Sequence, residues 1–118
     1  MSTLAAGYAL VLSALVVVIW LGNVVRGAVP ELVTEPRAIR FHIAAELGMA
    51  ALLAAGGALT LAGSEAGTAT LLLAFGAVLY SIVNSAGHYA QLRQVAPLVL
   101  FGALFALTTA IAVALVAG

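Results

Sequence analysis

Cysteine, lysine and aspartate are absent from this 118-residue chain, and charge of either sign is scarce. Without cysteine there is no disulfide, thiolate metal site, iron–sulfur cluster or c-type haem attachment. Without aspartate there is no Ser-His-Asp set, and no G-x-S-x-G turn accompanies Ser81 or Ser85, so a nucleophilic enzyme is not expected. Four arginines balance four glutamates, which leaves no basic patch for nucleic acid. Charged residues make up 7% of the chain, against about 25% in an ordinary soluble domain. What is present instead is apolar: 65% hydrophobic residues and a mean hydropathy of +1.26. So short a chain cannot hide that much apolar surface within itself. The composition excludes a water-soluble globule and a disordered chain, and implies an integral membrane protein.

A spanning helix needs about 20 mostly apolar residues to cross a hydrocarbon core of about 30 Å. Four stretches qualify: Leu4 to Val25, Phe41 to Ala62, Thr68 to Ala86 and Pro97 to Val116. They are apolar on every face, as membrane helices are and surface helices are not. The first lacks a basic leading region and an A-x-A site, so it reads as a retained helix. Short connections, including the turn at Gly63-Ser64-Glu65-Ala66-Gly67, predict one all-α four-helix bundle with mostly antiparallel neighbours. In the longer first connection, Thr34 ahead of Pro36 is a helix-start signal, so the second helix is expected to begin before its apolar run.

Arg26, Arg37 and Arg40 fall in the first connection and Arg93 in the third. The middle turn and both termini carry no arginine. All four cations therefore lie at one face, which the positive-inside rule assigns to the cytoplasm. The expected protein is a multi-pass component of a bacterial or archaeal plasma membrane, with both termini outside. Trp20, Phe41 and Tyr89 fall near the arginine-bearing boundary, where an aromatic belt sits.

Helix association in lipid relies on close approach through small side chains. Gly102, Ala106, Ala110, Ala114 and Gly118 recur every four residues along the last span, and Ala44, Gly48, Ala51 and Ala55 form a shorter stripe. The first stripe is expected to be a packing face, within the bundle or against a second copy, so a homo-oligomer or membrane-complex subunit is anticipated. Thr108 and Thr109 are expected to bond the carbonyl a turn earlier.

The polar residues inside the spans are few. Glu46 and His42 are four apart on the second span, hence on one face. Tyr80, Asn84 and His88 share a face of the third, and Gln91 follows. If the hairpin turns near Glu65, residues at equal depth have numbers summing to about 130. Glu46 then stands level with Asn84, and His42 with His88. An ionisable group at the centre of a span costs about 3 kcal/mol on insertion scales, which is why such groups mark function by default.

Several readings of this cluster are open. Glu46 would accept a proton or bind a small solute, with Asn84 and His42 as hydrogen-bond partners and Tyr80 and Gln91 flanking, in a cytoplasm-facing pocket between the second and third spans. His42, His88 and Glu46 would form a two-His-one-carboxylate metal set, though no H-E-x-x-H motif supports it. Two histidines at one depth would also suit haem, but adjacent hairpin helices leave little room for a porphyrin. The residues identify no cofactor. A purely structural reading is that Glu46 and Asn84 hold helices together, or that Arg37 or Arg40 pairs with Glu46, in an accessory subunit of a larger complex.

The segment Leu79-Tyr80-Ser81-Ile82-Val83-Asn84-Ser85-Ala86-Gly87-His88-Tyr89-Ala90-Gln91 resembles the third-helix signature of a family of small, uncharacterised four-span proteins of archaea and bacteria. Phe41-His42-Ile43-Ala44-Ala45-Glu46 resembles its second-helix pattern. The resemblance implies that His42, Glu46, Asn84 and Gln91 match the family, and that His88 stands where an aromatic residue is common. The second span is also faintly similar to DoxX-like membrane proteins, which implies a possible redox association; their first-helix pattern is missing. Neither resemblance implies an assigned activity.

Overall fold

A computed structural model describes residues 1–118. It is all-helical. The long helices are α1 (Ser2–Val25), α3 (Pro36–Leu61), α4 (Ala66–Gln91) and α5 (Val95–Ala117), with one short helix, α2 (Glu31–Thr34), between the first two. Each long helix is long and apolar enough to cross a membrane. The bundle measures 44 × 26 × 19 Å, with its length along the helices.

The helices outrun the apolar runs. The helix after Pro36 starts at that residue, five before Phe41, because proline is pre-set for the first helical turn, where its missing N–H is no loss. Glu35 precedes it in non-helical geometry, and no side chain caps this end. The last turn of α4 carries the polar stretch to Gln91, which hydropathy alone would end at Ala86.

Three helices end on the same device. After α1, Gly27 takes φ +67 while its N–H bonds to Val24 and the next N–H, that of Ala28, bonds to Asn23. Gly63 repeats this after α3, with bonds to Thr60 and from Ser64 to Leu59. This pair of bonds satisfies carbonyls that a helix end leaves unpaired, and needs a left-handed residue that glycine adopts freely. After α4 the same bonds form around Arg93, at φ 57.

The chain winds so that α1 packs on α3, α3 on α4, and α4 on α5, while α1 touches α4 and α5 only marginally. The four arginines cluster at one end, where α1 and α4 finish and α3 begins. The other end is closely packed. Gly57 lies against Leu10 and the carbonyl of Ala6, Gly56 against Leu71, and Gly67 against the backbone of Thr60. Ala5, Ala6, Ala9, Leu71, Ala74 and Phe75 are buried there.

Neither small-residue stripe packs within the bundle. Gly102, Ala106 and Ala110 are exposed and Ala114 only half-buried, while Thr108, Ile111 and Leu115 face the bundle. Ala44, Gly48, Ala51 and Ala55 do not pack inside either; Met49, Ala50, Leu53, Gly56 and Gly57 do. Four-residue spacing finds a stripe but cannot say which way it points. Thr108 is also not bonded to its own helix: its Oγ1 shares a 2.6 Å hydrogen bond with the Tyr8 hydroxyl, tying α5 to α1. Thr109 Oγ1 is buried without a partner.

The α3–α4 register differs from expectation by one turn. Glu46 meets Ser81, Gly56 meets Leu71 and Thr60 meets Gly67, numbers summing to 127 in each case. The reason is the turn: α3 ends at Leu61 and α4 starts at Ala66, so the hairpin centres between Gly63 and Ser64 and not on Glu65.

Candidate functional site

A partly open cavity of about 680 Å³ runs from the level of Tyr8 toward the arginine-bearing end. All four long helices and the connection around Val29 contribute to its wall, and 17 of its 25 lining residues are hydrophobic. Most of its polar groups come from α3 and α4, with Asn23 of α1 and Glu31 of α2 beside them. The helices stand apart here because the residues between them are large: Trp20, His42, Tyr89 and Phe101 all line the cavity. Trp20 meets His42 edge-on at 5.5 Å, and Tyr89 stacks on Phe101 at 5.7 Å.

Glu46 is the only charged side chain in the buried set, with 8% of its surface exposed. Its Oε1 accepts a 2.7 Å hydrogen bond from Ser81 Oγ across the α3–α4 seam. The His42 Nε2 lies 3.7 Å from the same oxygen, one turn earlier on α3. That separation is a close electrostatic approach and is too long for a hydrogen bond. No arginine pairs with Glu46, so the predicted Arg37 or Arg40 partnership does not form. The carboxylate is left with one neutral donor, one neighbouring imidazole and a cavity.

The other predicted site residues divide in two. Asn84 and His88 line the cavity. Both stand nearer the arginine-bearing end than expected: Asn84 is level with Ile43, and it is Ser85 that is level with His42. Tyr80 is 76% exposed and faces away from the cavity, as does Gln91 at the end of α4. Tyr80 entered the expected cluster because it is one turn from Asn84. The inward edge of α4 instead runs through Val78, Ser81, Ile82 and Ser85.

His42, Glu46 and His88 are not gathered into a group that could hold a metal ion. The one-turn register shift moves His88 away from the level of His42 and undoes the geometry on which the metal and haem readings rested. The residue that sequence reasoning missed is Ser81. Its signal was present, one turn before Ser85 and three residues before Asn84, but only the true hairpin centre brings it level with Glu46.

A second hollow of about 490 Å³ lies outside the bundle beside Pro36, Arg37, Arg40, Phe41 and Ala44. It contains none of the buried polar groups.

No curated protein and no solved structure matches the chain. A family model does, over residues 1–117, and its description is Domain of unknown function (DUF8058). The family reached is thus an uncharacterised one, as the third-helix signature implied, and not the DoxX-like proteins. With all but its last residue matched, this four-helix chain belongs to the DUF8058 family.

Proposed function

We propose that the chain is an integral membrane protein that binds or moves a small solute or proton at Glu46. The reading is carried by one observation: a buried carboxylate with no arginine partner borders a cavity of about 680 Å³. A charge in such a position is costly to insert and is retained most readily where it does work. Ser81 holds the carboxylate oxygen in place, His42 is poised beside it as a proton partner, and Asn84, Ser85 and His88 supply polar groups toward the arginine-bearing end. In this reading that end faces the cytoplasm, as the positive-inside rule requires of four arginines at one face. A reporter fused at Gly118 would then be silent when it needs the cytoplasm and active when it needs the outside; the reverse pattern inverts the topology.

Glu46→Gln tests the site. The amide keeps an acceptor for Ser81 and removes the titratable charge. In proteoliposomes enclosing a pH-sensitive dye, the wild-type protein is expected to dissipate an imposed proton gradient, or to do so with a co-solute, and the variant is not. Equal behaviour of the two proteins removes the reading.

A structural role has its own supporting observation, since the Ser81–Glu46 bond ties α3 to α4. If the pair serves only to join helices in an accessory subunit, Ser81→Ala and Glu46→Ala lose equal stability and the double variant loses no more. A site role predicts instead that Ser81→Ala retains partial activity at nearly normal stability.

A further inference from the structure

At the depth of Glu46 the lining of the cavity reaches the outer surface of the bundle along α1. Leu15 and Ile19 on α1 and Leu100 on α5 line the cavity, yet are 50%, 54% and 57% exposed, so they are rim residues with one side in the cavity and one side outside the bundle. The depth follows from a cross-link. Ser13 Oγ donates to the Ala50 carbonyl at 2.7 Å, which puts Glu46 level with the stretch of α1 between Leu15 and Ile19. Leu100 of α5 lies nearer the arginine-bearing end, since its neighbour Phe101 stacks on Tyr89, eight residues past Ser81 on α4. The α1–α5 seam is fastened at Tyr8, and the rim residues of α1 stand about two to three turns further on. This rim is of leucine and isoleucine and, in a spanning bundle, faces lipid tails and not water.

The lining also carries a sign. Glu46 and Glu31 are its two formal charges, and none of the four arginines contributes to it. Trp20, whose ring meets His42, is in the same lining, and organic cations are attracted to aromatic faces.

Resting on the site reading above, we infer that the ligand is a lipophilic amine that enters sideways from the bilayer along α1. Its ammonium head lies at Glu46 and its apolar chain lies along the Leu15 and Ile19 rim. Asn84 and His88 are exposed lining residues as well, so the cavity also reaches the surface at a polar place toward the arginines; the apolar rim on α1 is the part that a tailed ligand would use. An anionic amphiphile would meet two carboxylates and no arginine.

The chain's single tryptophan lines the cavity, which provides the readout. The protein is placed in phosphatidylcholine nanodiscs and titrated with dodecylamine brominated in its tail, which quenches a nearby indole. The expected result is saturable quenching of Trp20 with a half-saturation point raised about tenfold or more in Glu46→Gln, the loss of one charge partner of about 1.4 kcal/mol. Because the chain has no cysteine, Leu15→Cys can be labelled with a bulky maleimide to plug the rim. The labelled protein is expected to lose the saturable phase and the unlabelled variant to keep it. Brominated dodecanol or dodecanoate quenching as well as the amine overturns the head assignment. Quenching indifferent to the plug overturns sideways entry. Methylammonium raising the thermal midpoint of the wild type but not of Glu46→Gln, with no saturable quenching by the tailed amine, overturns this inference and leaves the Glu46 site standing. Absence of both effects overturns the two together.

Discussion

The two ends of the bundle use the same four helices in opposite ways. Away from the arginines, Ala5, Ala6, Ala9, Gly56, Gly57 and Gly67 let the backbones of α1, α3 and α4 nearly touch, and Phe75 and Leu71 fill what space remains. Toward the arginines, Trp20, His42, Tyr89 and Phe101 hold the helices apart around a cavity. Without a hydrophobic drive between helices in lipid, side-chain size largely decides where they meet. The closed end gives the molecule a fixed frame. The open end can then afford a buried acid.

This contrast can be broken most severely at Gly67. A β-carbon there would lie 2.7 Å from the Thr60 Cα and 2.8 Å from its nitrogen, and backbone cannot move aside as a side-chain tip can. Gly67→Ala is expected to destabilise the protein by about 1–3 kcal/mol, the range of an overpacked core. Denaturant unfolding in mixed micelles would show it, and an unchanged midpoint would mean that the closed end is looser than described.

Next in size is the fastening between the ends. Tyr8→Phe strips Thr108, which is fully buried, of its partner. A loss of about 1 kcal/mol is expected. Adding Thr108→Val should recover most of it, because the orphaned hydroxyl is then gone. Additive losses in the double variant would show that the bond is not what joins α1 to α5.

At the open end the expected effect on stability is smaller. Glu46→Gln should shift unfolding by less than about 1 kcal/mol, since Ser81 keeps an acceptor and the cavity tolerates the amide. A large stabilisation would mark the charge as a burden that the fold carries for its function. The smallest effect belongs to the outward stripe. Nothing lies within 4 Å of a β-carbon at Gly102, so Gly102→Ala is expected to stabilise the monomer by about 0.5–1 kcal/mol through helix propensity alone. A loss instead would place a second copy on that face.

The fold was legible because apolar runs of spanning length admit few alternatives. Glu46 and His42 could be picked out because ionisable residues inside the apolar runs are so few. The facing of the helices was not. A helix that is apolar all round carries no phase, so the Gly102 to Ala114 stripe and Tyr80 could be placed on a face but not aimed. Ser81 was hidden by a single turn of register. That turn depended on whether Ala66 belongs to the loop or to the helix, a distinction hydropathy does not make.

Arg93 closes α4 in a left-handed conformation that the chain gives to glycine at its other two such turns, Gly27 and Gly63. For a residue with a β-carbon that geometry costs about 1–2 kcal/mol. Glycine would close the helix with less strain and would remove the one arginine that follows α4. The molecule's lopsided charge is thus partly held against the grain of its own backbone: conformational energy has been exchanged for electrical polarity along the bundle axis.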